Sequence, residues 1–179
     1  MPEDGVSPGV RTPATRDRRA ALWLAAVALG AAVLLAGCGR ARDTVESVAE
    51  RRPFTVPSAS MEPTIKRDQR IWARPLTGAV ERGMIVLSSS AKYPGELHVR
   101  RVVGLPGEVL FSRKGAVYVA GEALDEPYLA PGTYTSAFGP LRLGADQYFL
   151  MGDARENSND SRRQGPVPRS AITMVVETR

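Results

Sequence analysis

The pattern of hydrophobic and polar positions divides the chain into an apolar segment near its start and a longer region of short apolar runs. Residues 20–38 are uncharged and mainly apolar, and a basic cluster at positions 16–19 precedes them. Residues 1–19 have no apolar periodicity and are predicted to form a disordered, basic tail. Because positive charge precedes the apolar segment, we expect the N-terminus on the inner side of a membrane and the rest of the chain outside.

The apolar segment ends in Leu-Ala-Gly-Cys at residues 35–38. Its length lies between the roughly 20 residues that span a bilayer and the roughly 7–15 apolar residues of a cleaved signal. The ending resembles the lipobox of bacterial lipoproteins, which makes Cys38 a candidate lipidation site. The alternative is an uncleaved transmembrane anchor. Either form would tether an exterior domain to the membrane, with the charged residues 39–53 as a juxtamembrane linker.

Residues 54–179 are predicted to fold as a mostly β domain. Short runs rich in Val, Ile and Tyr alternate with Gly, Pro and Asp, and no long helical period is present. Gly121 after a Val-Tyr-Val run predicts a hairpin, because glycine accepts the positive φ of a tight turn. We therefore expect antiparallel sheets in a sandwich or partly closed barrel. The predicted strands are 71–74, 84–88, 97–103, 109–112, 116–120, 147–151 and 172–177.

Composition narrows the classes of function. The 179 residues and 43% hydrophobic content suit one folded domain. The net charge is +5, but the basic residues are spread along the chain without a stripe of interleaved aromatics, which argues against nucleic-acid binding. A single Cys excludes an intramolecular disulfide, and a single Cys with a single His argues against a zinc site. No glycine pattern for a nucleotide is present, so we expect no metal and no cofactor.

Five sequence blocks stand out in the β region. In chain order they are PSASMEPT (57–64), RGMIVL (82–87), RRVVGLPGE (100–108), VYVAGEALDEPYL (117–129) and YFLMGDARENSNDSR (148–162). In residues and order they resemble the type I signal peptidases, bacterial membrane-bound serine endopeptidases, and the resemblance covers residues 54–179. It implies the signal-peptidase fold, cleavage of exported preproteins after small residues, and action on the outer face of the membrane.

The resemblance implies roles for individual residues. Ser60 matches the nucleophile, which a neighbouring base must deprotonate before it attacks the scissile carbonyl. Ser58 matches the hydroxyl of the oxyanion hole, and Met61 matches a residue packed under the site. The supporting matches are Ser158 to orient the base, Asp160 with Arg162 as a bracing ion pair, Gly152 and Asp153 as the turn beside the nucleophile, and Val99 to line the pockets for small side chains.

The family's lysine base is replaced by Arg100. A general base must be neutral for part of the time, and arginine stays protonated in proteins. The domain would then be inactive and bind peptides, or another group would be the base. His98 is one candidate, because eukaryotic and archaeal relatives use histidine at the lysine position, but it lies about 6–7 Å along the strand from residue 100. Lys66 or Lys92 would be another source of an amine.

The sequence thus predicts a membrane-tethered serine endopeptidase of the signal peptidase I type. Its partners would be exported preproteins or extended peptides, which would pair with a strand edge, and the membrane. The rival prediction is a catalytically inactive, peptide-binding lipoprotein on the same scaffold, and Arg100 is the feature that separates the two.

Overall fold

The computed structural model describes residues 51–90, 92 and 95–177. The predicted tail, the apolar segment with Cys38 and most of the predicted linker lie outside the described residues. Within the part of the chain that is described, no helix is long and apolar enough to cross a membrane.

The described residues form eleven strands, one short α-helix and two 3-10 turns. The strands are β1 (Arg52–Thr55), β2 (Arg70–Pro75), β3 (Ile85–Ser89), β4 (Leu97–Gly104), β5 (Val109–Arg113), β6 (Ala116–Val119), β7 (Glu122–Ala123), β8 (Leu141–Arg142), β9 (Gln147–Met151), β10 (Val167–Pro168) and β11 (Ile172–Val176). The α-helix is α1 (Ser161–Gln164), and the 3-10 turns are Arg155–Asn157 and Arg169–Ala171.

The strands form two sheets, and every pairing is antiparallel. One sheet has seven strands in the order β1-β2-β11-β3-β4-β9-β10, and the other has four in the order β7-β6-β5-β8. The predicted mostly β, antiparallel fold is confirmed, and all seven predicted strands are present. β1 begins at Arg52, two residues before the predicted start of the domain at 54.

The predicted hairpin joins β6 to β7. Val119 pairs with Glu122, and the two turn residues, Ala120 and Gly121, have φ values of 51° and 91°. Two positive φ values in a two-residue loop match the twist of the flanking strands. Gly121 adopts its positive φ freely, as the sequence predicted, whereas Ala120 has a Cβ and adopts its positive φ at a steric cost.

β4 is an interior strand of the larger sheet and carries Arg100. It lies between β3 and β9, and it is buried from Val99 to Gly104. Val99 packs in one apolar cluster, while Val102 packs in another with Val86 and Leu150. Since side chains alternate across a strand, Arg100 lies on the Val102 side of the sheet.

The two sheets pack against each other through a third apolar cluster. It joins Val103 and Phe149 of the larger sheet to Leu110 and Val117 of the smaller one. Burying each such side chain contributes roughly 1.5–3 kcal/mol. This packing fixes the positions of β4 and β9, which carry or lead into residues of the candidate site.

Candidate active site

Ser60 lies in the turn that follows β1 and is buried, with 5% of its surface exposed. The loop between β1 and β2 is closed by backbone hydrogen bonds from the Val56 N–H to the Gln69 carbonyl and from the Ile65 N–H to the Met61 carbonyl. Met61 is completely buried in the same apolar cluster as Val56, Ile65 and Val99. The buried methionine therefore packs beneath the loop that carries Ser60.

Two polar groups contact the Ser60 hydroxyl. Its Oγ lies 3.0 Å from Ser58 Oγ and accepts a hydrogen bond of 2.9 Å from Arg100 Nη1. A hydroxyl that accepts from a guanidinium can still donate its own proton, and in the contact between Ser58 and Ser60 either hydroxyl can be the donor. The structure thus brings together the predicted nucleophile, the predicted oxyanion serine and the residue at the lysine position.

Arg100 reaches Ser60 from the centre of β4 and is 7% exposed. Its Nη1 also donates to the Val99 carbonyl at 2.6 Å, and its Nη2 donates to the Asn159 carbonyl at 3.1 Å. Burial lowers the pKa of Arg100, while the negative charge of Asp160 opposes that shift. A guanidinium offers donors and no acceptor, so a charged Arg100 has no lone pair with which to take the Ser60 proton.

Asp160 and Arg162 form the predicted ion pair behind the site. Arg162 donates from Nε to Oδ1 and from Nη2 to Oδ2, both at 2.8 Å, and the Gly152 N–H donates to Oδ2 at 3.0 Å. Burial alone would raise the pKa of the Asp160 carboxyl, but the hydrogen bonds and charge of Arg162 outweigh it and hold the pKa below its usual value. The carboxylate is therefore ionised and fully engaged.

Ser158 lies between this pair and the nucleophile segment and is 5% exposed. Its hydroxyl has no hydrogen bond of standard geometry among the described residues, although it is near enough to help lower the pKa of Asp160. The hydroxyl does not contact Arg100 by a hydrogen bond. The Ser158 side chain therefore lies near the nucleophile segment, where it was predicted to be. Among the described contacts, however, it makes no hydrogen bond to the side chain of residue 100.

At Gly152 the backbone of the turn after β9 lies directly against Ser60 and Ser158. A Cβ at this position would overlap the Ser158 side chain and the Ser60 carbonyl oxygen. The Ala154 N–H donates to that same carbonyl at 3.1 Å. The turn after β9 therefore packs directly against Ser60, and position 152 has room for glycine only.

Arg101 and Asp153 form a second buried ion pair that sequence reasoning did not assign. Arg101 Nε and Nη2 donate to the two Asp153 oxygens at 2.9 and 2.7 Å, and Thr64 Oγ1 donates to Oδ2 at 2.5 Å. The Arg101 guanidinium also stacks 3.8 Å from the Tyr128 ring centroid. All four residues lie in the motif blocks, but only the fold shows that they meet and join the turn after β9 to the nucleophile loop.

A third buried arginine, Arg155, closes the far side of this turn. Its side chain is inaccessible to solvent and is paired with Glu126, and its Nη1 donates to Thr135 Oγ1 at 2.8 Å. These bonds fix the connection between the turn and the segment that follows β7.

His98 shares the sheet face of Arg100 but is not a partner of the Ser60 hydroxyl. Its Nε2 lies 3.6 Å from Glu96 Oε2. Burial and the charge of Arg100 lower the pKa of His98, while Glu96 opposes that shift. Lys66 is exposed and likewise does not contact Ser60.

A cavity of about 310 Å³ adjoins Arg100 on this face. His98, Lys92 and Gln164 contribute polar groups to its lining, together with serines at the end of β3. Among the described residues, no three His, Cys, Asp or Glu side chains are grouped so as to hold a metal ion.

This chain is similar to known proteins over much of its length. The family model for signal peptidase, peptidase S26, matches residues 23–179. The probable signal peptidase I-2 of Synechocystis is 39% identical over 134 residues, which are 70% of this chain and 60% of that protein. Signal peptidase I of Bacillus amyloliquefaciens is 36% identical over 122 residues, 62% of this chain and 64% of that protein. The chain therefore spans less than two thirds of the length of these curated relatives.

One solved structure of a signal peptidase I, from Enterococcus faecalis, is 28% identical to this chain. The two superpose with a TM-score of 0.49 over 54% of this chain and 96% of that one.

Proposed function

This chain belongs to the signal peptidase family, peptidase S26, and we propose that its β domain is a serine endopeptidase that removes signal peptides from exported preproteins. The proposal is carried by the Ser60 hydroxyl, which is buried, lies 3.0 Å from a second hydroxyl and is reached by the side chain of residue 100. Ser60 would attack the scissile carbonyl and form an acyl-enzyme. Ser58 would donate to the oxyanion of the tetrahedral intermediate.

The substrate would lie extended along the start of β4. Among the described residues, β4 pairs on its β9 side only from Arg101 onward, and this leaves the edge of residues 97–100 available to hydrogen-bond to a peptide. Val99 lies in this stretch, and its side chain packs with Met61. A surface of that kind suits alanine-sized side chains next to the bond that is cut.

The remaining site residues would hold these groups in place. Asp160 and Arg162 would brace the segment that carries Ser158, and Gly152 with Asp153 would seat the turn after β9 against the nucleophile loop. Ser158 would orient a neutral amine if one stood at position 100. These are positioning roles, because none of these side chains reaches the Ser60 hydroxyl by a hydrogen bond.

A second candidate function is peptide binding without cleavage. It is favoured by the hydrogen bond from Arg100 Nη1 to Ser60 Oγ, which places a permanent cation where the reaction needs a neutral base. His98 is the alternative base, but it would have to replace Arg100 at the hydroxyl, which requires a shift of the strand register.

We further propose that the domain acts on the outer face of a bacterial membrane. The tether would be a lipid on Cys38 or an uncleaved apolar helix at residues 20–38. Cells fed labelled fatty acid should label the wild-type protein and leave Cys38→Ala unlabelled. An unlabelled wild type that retains residues 1–37 would contradict the lipid anchor and favour the helix.

The test of activity uses the full chain in detergent and a fluorogenic peptide with an Ala-x-Ala site. Cleavage after the second alanine by the wild type, and none by Ser60→Ala, would support the peptidase. Binding of the peptide without cleavage would support the second candidate. If the wild type neither cuts nor binds the peptide, both candidates fail.

A further inference from the structure

Two buried ion pairs hold neighbouring residues of the turn after β9. Arg101 donates to both carboxylate oxygens of Asp153, at 2.9 and 2.7 Å. Arg155 is paired with Glu126, and its Nε donates to the Gly152 carbonyl at 3.1 Å. The position of the turn therefore depends on both pairs at once.

Tyr128 contacts one member of each pair. Its ring centroid lies 3.8 Å from the guanidinium carbon of Arg101, and its hydroxyl donates to Glu126 Oε1 at 2.5 Å. The same carboxylate oxygen also accepts from Arg155. Burial and the hydrogen bond to Glu126 raise the pKa of Tyr128, so the phenol keeps the proton that it donates. One side chain thus joins the two ion pairs.

The ring and the hydroxyl of Tyr128 act on different pairs. The ring covers the Arg101 guanidinium, whose side chain is 10% exposed, and an ion pair is stronger where water is excluded. The hydroxyl gives the Glu126 carboxylate a charge-assisted hydrogen bond in addition to those from Arg155. Loss of the ring would admit water to the first pair, and loss of the hydroxyl would loosen the second.

The turn in question contacts the nucleophile loop directly. The Ala154 N–H donates to the Ser60 carbonyl at 3.1 Å, and Thr64 Oγ1 donates to Asp153 Oδ2 at 2.5 Å. Gly152 packs against the same Ser60 carbonyl. A displacement of the turn would therefore move the Ser60 backbone and carry its hydroxyl with it.

We propose that Tyr128 is a positioning residue that joins the two ion pairs and thereby holds the Ser60 hydroxyl in place for attack. The catalytic consequence rests on the proposed function, whereas the link between Tyr128 and the turn does not. A misplacement of about 1 Å can cost about 100-fold in rate, so Tyr128→Leu should lower kcat by about 10- to 100-fold. KM should change little, because a misplaced nucleophile weakens the transition state rather than peptide binding.

The kinetic test measures kcat and KM separately for the full chain in detergent with a quenched fluorescent Ala-x-Ala peptide. Tyr128→Phe keeps the ring over Arg101 and loses only the hydroxyl, so its kcat should fall by at most about 10-fold and lie between wild type and Tyr128→Leu. Tyr118→Leu is the matched control. Tyr118 is a half-buried ring of the smaller sheet that stacks on Phe111 and lies 5.8 Å from the Arg113 guanidinium carbon, and its loss should leave kcat unchanged.

Hydrogen–deuterium exchange of residues 152–157 tests the structural link without any cleavage. In Tyr128→Leu this segment should exchange faster than in the wild type, while β3, an interior strand of the larger sheet, keeps its rate. Tyr118→Leu should leave the exchange of residues 152–157 at the wild-type rate. Equal acceleration of β3 and residues 152–157 in Tyr128→Leu would mean that Tyr128 acts only through global stability, and would overturn the inference.

The remaining outcomes separate this inference from the proposed function. Unchanged exchange of residues 152–157 in Tyr128→Leu would overturn the inference and leave the proposed function standing. An active wild type whose kcat is the same in Tyr128→Leu, or in Tyr128→Phe, would also overturn it. If the wild type neither cuts nor binds the peptide, the proposed function fails, and the exchange of residues 152–157 alone decides the inference.

Discussion

Replacing Arg100 by lysine should create or raise peptidase activity in this domain. The lysine amine corresponds in position to the guanidinium carbon, one bond short of the Nη1 atom that lies 2.9 Å from Ser60 Oγ. Position 100 is 7% exposed, and burial favours the neutral form of an amine. A neutral amine at this position has the lone pair that a general base requires.

The size of the effect follows from the neutral fraction of each side chain. An arginine in a protein stays protonated at pH 8 in all but a very small fraction of the molecules, even where burial lowers its pKa as at Arg100. A buried lysine tuned to a pKa of about 8 is neutral in about half of the molecules. The negative charge of Asp160 would raise the pKa of a lysine at position 100, and the positive charge of Arg162 would lower it, as these two charges do for Arg100. Since arginine is also the stronger base, we expect a net gain of about 10²–10⁴-fold in kcat/KM, the usual contribution of a general base.

The assay is cleavage of a quenched fluorescent Ala-x-Ala peptide by the full chain across neutral and alkaline pH. In Arg100→Lys, kcat/KM should rise with pH to the pKa of the new lysine and then level off, because only the neutral amine acts as a base. The double variant Ser60→Ala with Arg100→Lys should be inactive. Arg100→Met keeps an unbranched side chain without a base and should show no gain.

Two results would refute this reasoning. One is a folded Arg100→Lys protein that is no more active than Arg100→Met, which would mean that the amine does not become neutral beside Ser60. The other is a wild type that is already fully active near neutral pH. In that case His98→Ala would show whether histidine is the base, since activity that survives it but is lost in Ser60→Ala would point to another group.

Three further predictions concern the same site. Ser60→Ala should abolish cleavage, whereas Ser58→Ala should lower kcat by about 10²–10³-fold, the loss typical of one oxyanion donor; similar losses in the two variants would contradict their separate roles. Gly152→Ala should lower the free energy of unfolding in urea by about 1–3 kcal/mol through steric overlap, while Gly144→Ala, whose Cβ meets only the flexible side chain of Gln147, should cost less. The depressed pKa of Asp160 contributes stability that is present above the pKa of the unfolded chain and is lost as pH falls through the folded pKa. The stability gap between wild type and Asp160→Asn should therefore close in acid, and a gap that stays constant down to the folded pKa would show that the charge does not contribute.

Local sequence was sufficient for most of the fold. In each of the seven predicted strands, a run rich in β-branched and aromatic residues is bounded by turn residues. This pattern can be recognised within a few positions of each strand. The β6–β7 hairpin followed from Gly121 for the same reason. β1, β8 and β10 were not predicted, because β8 and β10 have only two residues each and β1 contains Arg and Pro. Such strands form where the neighbouring strand already offers a partner.

The residue types of the site, and the missing base at position 100, were also readable from the chain alone. That Arg100 cannot replace a lysine follows from the chemistry of the guanidinium and needs no coordinates. The sequence likewise predicted that Ser58, Ser60 and Ser158 belong to one site, although only through resemblance to a family.

Only the tertiary structure decided which charges meet. Arg100 and Arg101 are adjacent in sequence, yet alternation along β4 sends them to opposite faces of the sheet. Arg101 finds Asp153, 52 positions away, while Arg100 finds the Ser60 hydroxyl and makes no ion pair with a carboxylate among the described residues. Partners of this kind depend on how strands far apart in the chain are paired and packed. Electrostatic energy depends on distance in space, so the sequence could identify the charges but could not show which of them meet.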